Sequence, residues 1–107
     1  MFVVSFRGSD NPTNYLQDAY AYPRKTYKKC KDCEVHPGFY NSFLSVKAEL
    51  FKALKILHKR YPNTGCFIAS HSLGAAMQAY AALDILIELE IPITAYIAYE
   101  TPRVGNW

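Results

Sequence analysis

The sequence predicts an α/β fold on a short parallel sheet, and three observations carry that expectation. Apolar runs at residues 2–6, 66–69 and 93–99 read as buried strands. Helical patterns at 35–61 and 73–89 lie between them, and strand, helix, strand at these lengths makes a right-handed crossover that lays strands parallel. Between the second strand and the second helix stands the tight turn Ser70-His71-Ser72-Leu73-Gly74.

Composition bounds the rest. With 107 residues, 50% of them apolar, the chain suits one small domain. A scattered net charge of +3, with no nucleic-acid motif or basic helical stripe, argues against a nucleic-acid partner. The densest positive run, Arg24, Lys25, Lys28, Lys29 and Lys31, reads as a solvated loop in preference to a contact for anionic lipid. The opening apolar run is too short, and lacks the charged start, for a signal peptide. Residues 83–97 are interrupted by Asp84, Glu88, Glu90 and Pro92, so no transmembrane segment is expected.

Taken in order, the first strand, 2–6, ends at the turn Arg7-Gly8-Ser9 and has no earlier neighbour, as though the chain began in the middle of a sheet. Residues 9–20 offer a short weak helix through Tyr15, Leu16, Ala19 and Tyr20. The Cys30-x-x-Cys33 pair follows in a loop rich in Lys and Asp. A zinc site would need two further ligands, and a thioredoxin-like motif a strand before it and a helix on it, so no metal or cofactor is expected. A local disulfide and two free thiols both stay open, while Cys66 reads as a small buried apolar residue.

Residues 35–61 carry the strongest periodicity. Phe39, Phe43, Val46, Leu50, Leu54, Leu57 and Tyr61 form one stripe, with Lys47, Lys52, Lys55 and Lys59 opposite, which predicts an amphipathic helix packed on a sheet. Pro62, Asn63 and Gly65 stop it and feed the strand 66–69. The helix from Leu73 to about Leu89 is apolar on most of its surface and is expected to be largely buried, with Pro92 ending it before the last strand.

The turn between strand and helix is where chemistry enters. Such a turn lifts the Ser72 hydroxyl above the sheet edge at a helix N-terminus, where partial positive charge favours a developing oxyanion. This is the geometry of a nucleophile elbow, which requires small residues two positions before and two after the serine. Gly74 fits, whereas Ser70 replaces the usual glycine and predicts crowding or an altered backbone angle. The bland alternative is that Ser72 merely caps the helix.

Ser5-Phe6-Arg7-Gly8-Ser9, Asn14-Tyr15, Cys30-x-x-Cys33, His36-Pro37-Gly38-Phe39, His71-Ser72-Leu73-Gly74-Ala75 and Pro102-Arg103-Val104-Gly105-Asn106 stand in one order along the chain. In that order they resemble the class 3 lipases, the fungal-type triacylglycerol lipases of the α/β-hydrolase fold. The resemblance implies Ser72 as the nucleophile of an acyl-enzyme mechanism and Ser9 with the backbone N–H of Leu73 as the oxyanion hole. It also implies a lid at 10–20 with Tyr15 and Leu16 facing substrate, and a Cys30–Cys33 disulfide. The implied substrate is a lipid ester at an oil–water or membrane interface, and family habit favours secretion. Oligomeric state is left open.

The family's triad acid and histidine would lie beyond the 102–106 loop, and neither has a counterpart here. His71, His36 and His58 are poor candidates for the base: His71 reads as structural, His36 sits at the start of a helix, and His58 falls among its lysines. Glu100 stands near the right sheet edge but not at the family's acid position. Residues 1–107 therefore read as a partial class 3 lipase-like domain, with its N-terminal and C-terminal parts missing. The complete protein would hydrolyse lipid carboxyl esters. Alternatives are an inactive truncated fragment, a lipid-binding remnant, or a carboxylesterase or phospholipase.

Overall fold

The computed structural model describes residues 1–8, 25–27 and 29–105. Its elements are β1 (Phe2–Val4), β2 (Lys25–Thr26), β3 (Glu34–Val35), α1 (Pro37–Arg60), β4 (Cys66–His71), α2 (Leu73–Asp84), a π-helical turn (Ile85–Leu89) and β5 (Ile93–Tyr99). The main sheet is parallel in the order β1-β4-β5, with Val4 opposite Ile68 and Ser70 opposite Ala98. β4 therefore lies between the other two, and its carboxyl end carries the turn at Ser72.

The last strand has the expected bounds, and the central strand runs on through Ser70 and His71. The first is shorter than expected, because it ends at Val4 and the Phe6 N–H leaves the ladder for the Ser70 side chain. The 9–20 helix, with Tyr15 and Leu16, lies outside the described residues.

Helix α1 opens on Pro37, preset for a first helical position, with His36 as its cap: Nδ1 accepts the Phe39 N–H at 3.2 Å. Phe39, Phe43 and Leu54 are buried as the stripe predicts. Val46 and Tyr61 are exposed instead, and Phe51 takes a place in the core. The reason is the packing partner: α1 lies chiefly along α2. Tyr80 of α2 meets Tyr40 edge to face at 5.2 Å and Phe43 at 6.3 Å. The same rotation brings Lys47, expected on the outer face, against the end of α2.

The Ala-rich first half of α2 is buried, as an apolar helix between a sheet and a second helix must be. Its far end departs from expectation. The α-helix stops at Asp84, the next turn widens to π geometry, and Leu83, Leu86 and Ile87 face solvent. Gln78, fully buried, donates from Nε2 to the Ile97 carbonyl at 2.8 Å and ties the helix to β5. The core joins Val4, Ile68, Phe39, Phe43, Ala76, Tyr80 and Ile85. No described helix is long and apolar enough to cross a membrane.

Candidate active site at the strand-to-helix elbow

Ser72 is the single residue between β4 and α2, with φ 56° and ψ −119°. A non-glycine residue held there costs on the order of 1–3 kcal/mol and persists only where neighbours over-determine it. Here the Ser72 N–H donates to the Tyr99 carbonyl at 2.9 Å, and the Ser72 carbonyl accepts the Ala76 N–H at 3.1 Å. Its hydroxyl makes no capping hydrogen bond, which removes the bland reading of a capping serine. The residue is 3% exposed. Leu73 opens the helix, so its N–H is among the groups at a helix start that have no intrahelical acceptor.

The segment leaving β1 passes close to this turn. A Cβ on Gly74 would collide with the Phe6 carbonyl oxygen, which explains why that position must be glycine. A Cβ on Gly8 would stand 2.9 Å from the His71 carbonyl oxygen. Ser9 lies outside the described residues. Ser70 does not produce the expected distortion: it is not among the residues with positive φ, and its Oγ accepts the Phe6 N–H at 2.9 Å.

The histidines fall where the sequence suggests, with one difference. His71 Nε2 stands 3.0 Å from Glu100 Oε2 in an exposed pair at the carboxyl edge of the sheet. Glu100, too, has a positive φ, 50°. His36 is spent on capping α1 and stacks on Phe39 at 4.2 Å. His58, expected among solvated lysines, is half-buried.

Sequence reasoning missed a polar network at the other end of α2. Asp84 is fully buried and accepts from Tyr27 Oη at 2.7 Å, with Lys29 Nζ at 2.7 Å and Lys47 Nζ at 2.9 Å. Glu88 pairs with the same two lysines. Burial alone would raise the Asp84 carboxyl, but the donors from Lys29, Tyr27 and Lys47 outweigh it and hold the group below its usual range. Burial, then the bond to Asp84, push the Tyr27 phenol up. Lys29 is thus a structural partner of α2, not one more solvated charge.

Cys30 and Cys33 are joined across the turn linking β2 to β3, their Cα atoms 5.3 Å apart. Cys66 is a free, buried thiol whose pKa burial raises. The loop after β5 is pinned beside this hairpin: the Val104 carbonyl accepts the His36 N–H at 2.9 Å and Tyr80 Oη–H at 2.6 Å. A cavity of about 450 Å³ lies between hairpin, α2 and loop, walled by Val35, Tyr80, Leu83, Ile87, Pro102 and Val104, and Ser72 does not line it. Among the described residues no group of three or more His, Cys, Asp or Glu side chains could hold a metal ion.

A parallel sheet whose central strand turns through a strained serine into a buried helix is the arrangement of the α/β-hydrolases. The chain belongs to the class 3 lipase family, described as Lipase (class 3), which matches residues 3–107. It is 35% identical to secreted mono- and diacylglycerol lipase A of Penicillium cyclopium over 104 residues, 97% of this chain and 33% of that protein. Lipase A of Sodiomyces alcalophilus is 31% identical over 121 residues, 97% of this chain and 29% of the relative. The structure of Rhizomucor miehei triacylglyceride lipase superimposes with a TM-score of 0.85 at 29% identity, covering 97% of this chain and 40% of that one. The chain therefore spans about a third of the length of these curated relatives.

Proposed function

We propose that the complete protein carrying this chain hydrolyses lipid carboxyl esters, with Ser72 as nucleophile. In this reading Ser72 Oγ adds to the ester carbonyl carbon as a base takes its proton. The alcohol leaves with a proton, and water then hydrolyses the acyl-serine. The observation that supports the reading most is the Ser72 backbone, strained at φ 56° at a helix start with its hydroxyl unspent on capping. Leu73 N–H and Ser9 are the proposed oxyanion donors, each contributing on the order of 3 kcal/mol to the transition state. Tyr15 and Leu16 are the proposed substrate-facing lid residues. The substrate is an acylglycerol, and the names of the relatives leave mono-, di- and triacylglycerols all in play. Relatives named as secreted lipases, with the Cys30–Cys33 pair, support an extracellular setting.

Fluorophosphonate labelling tests the reading. The complete protein is expected to be labelled and to lose both labelling and hydrolysis in Ser72→Ala; hydrolysis that survives in Ser72→Ala overturns the proposal. Rates on emulsified long-chain and soluble short-chain esters separate lipase from esterase, since a working lid predicts a rise at the interface.

A further inference from the structure

We propose that His71 and Glu100 are positioning residues for Ser72, their pair holding in place the carbonyl on which the strained serine backbone rests; the proposal rests on the nucleophile reading above. β4 and β5 run side by side as far as His71 opposite Tyr99, where both strands end. One backbone bond reaches past that pair, from the Ser72 N–H to the Tyr99 carbonyl at 2.9 Å. A side-chain contact accompanies it, with His71 Nε2 3.0 Å from Glu100 Oε2. A carboxylate only accepts, so Nε2–H is the donor. The backbone bond joins the His71–Ser72 peptide to the Tyr99–Glu100 peptide, and the side chains of His71 and Glu100 join the same two peptides a second time. Together they close a ring across the strand ends.

Both strands enter this ring through a backbone angle that residues with a Cβ rarely adopt, φ 56° at Ser72 and φ 50° at Glu100. Glycine takes such an angle freely, whereas another residue persists there only where its surroundings hold it. At Ser72 the proposed chemistry requires the hydroxyl. At Glu100 the contact to His71 gives a side chain its use. Rotation about the Glu100 N–Cα bond turns the Tyr99–Glu100 peptide and with it the Tyr99 carbonyl, and a carboxylate anchored on His71 resists that rotation. The two side chains keep 55% and 79% of their surface, so the pair adds little to global stability. Its effect is local: it keeps the acceptor of the Ser72 N–H in line. A nucleophile acts only when aimed, and a misplacement of about 1 Å can cost on the order of 100-fold in rate.

The test measures kcat and KM on a soluble short-chain ester in the complete protein, with active sites counted by fluorophosphonate so that misfolded molecules drop out. Glu100→Ala is expected to lower kcat per labelled site about fivefold with KM changed less than about twofold, a fraction of the loss that full misplacement brings. Glu100→Gly, which frees the backbone but removes the carboxylate, is expected to lose as much. Glu100→Gln, whose amide oxygen still accepts from His71, is expected to keep most of the rate. The losses in Glu100→Ala and His71→Ala are expected not to add in the double variant. Full rate in Glu100→Ala or Glu100→Gly, or additive losses, overturns the proposal. If Glu100→Ala does not fold, Glu100→Gly, whose backbone suits the positive φ, carries the same test. Amide exchange reads the ring without catalysis: the Ser72 N–H should exchange about fivefold faster in Glu100→Gly than in the unmodified protein, and unchanged exchange overturns the proposal. Hydrolysis surviving in Ser72→Ala is a separate result that overturns the nucleophile reading, whatever the exchange at Ser72 shows.

Discussion

Lys47 Nζ lies 2.9 Å from Asp84 Oδ2 and joins the middle of α1 to the last residue of α2. The carboxylate is fully buried, while the lysine side chains on either side of it keep 21% and 26% of their surface. Removing the charge at the centre is therefore expected to cost more than removing one arm. Asp84→Asn should destabilise the fold by about 3 kcal/mol, the lower end for breaking a buried ion pair, since both lysines can reach water. Lys47→Met should cost about 1 kcal/mol, because Lys29 and Tyr27 still serve the carboxylate. Urea unfolding of the two variants checks the order; equal losses would mean that the network is not centred on Asp84.

The same network sets a pH window. Despite the raising effect of burial, donors from Lys29, Tyr27 and Lys47 lower the Asp84 carboxyl. Bonds first from Lys29 and then from Lys47 outweigh burial at Glu88. A carboxylate depressed on folding contributes stability that is complete above its unfolded value, about 4, and is lost as pH falls through the folded one. Lys47 has the opposite sign. Burial would lower it, but bonds to Asp84 and Glu88 prevail and push it up to about 12. Its contribution is complete below the unfolded value of about 10.4 and disappears as pH rises through the folded one. Melting temperature should hold between about pH 5 and 10 and fall on both sides. In Asp84→Asn both flanks should be shallower; unchanged flanks would place the titrating groups elsewhere.

Much of the sheet was legible because it is coded locally. The run 93–99 is apolar and bounded by Pro92 and a polar loop, and the elbow is a contiguous pentapeptide, so neither depends on a distant partner. What escaped the sequence depends on pairing across the chain. Asp84 meets Tyr27 across 57 residues, and Glu88 meets Lys47 across 41. No periodicity reports such a meeting, and a lysine in a basic loop or on a helix flank has the same pattern whether solvated or paired. Phe51 and Val46 exchanged roles because the stripe of α1 faces another helix where a sheet was expected. The β2–β3 hairpin, two residues per strand, is too short for alternation to show. Ser70 was legible as a departure from the elbow pattern, but not as the acceptor for Phe6, which lies 64 residues away.

Gly74 should tolerate no side chain. A Cβ there meets the Phe6 backbone carbonyl, which cannot swing aside as a flexible side chain would. Gly74→Ala is therefore expected to cost about 3 kcal/mol, the upper end for overpacking, and to displace the strand end beside the elbow. In the complete protein, fluorophosphonate labelling of Ser72 should fall together with the melting temperature. Wild-type stability in Gly74→Ala would show that the two segments stand further apart than described.

The 107-residue chain expressed alone is expected to self-associate. β1 and β5 each have one strand neighbour among the described residues, so each presents an unpaired edge. Those edges are not guarded by charge. Val3 is 69% exposed on one, and Tyr96, Ile97 and Tyr99 are 44%, 37% and 58% exposed on the other. Natural edge strands are blunted by lysine, proline, bulges or a covering element; here the irregularity in the β4–β5 register lies at the start of the pairing, between Cys66 and Phe67, leaving 95–99 regular. A fold that spans about a third of its relatives' length also buries less of its surface than a whole domain does. Light scattering behind a sizing column should find dimers or larger species whose share rises with concentration. Ile97→Lys, which puts a charge on the β5 edge region, should reduce that share while costing no more than about 1 kcal/mol of folding stability. A monomer that melts cooperatively at every concentration would show that the exposed edges are tolerated as they stand.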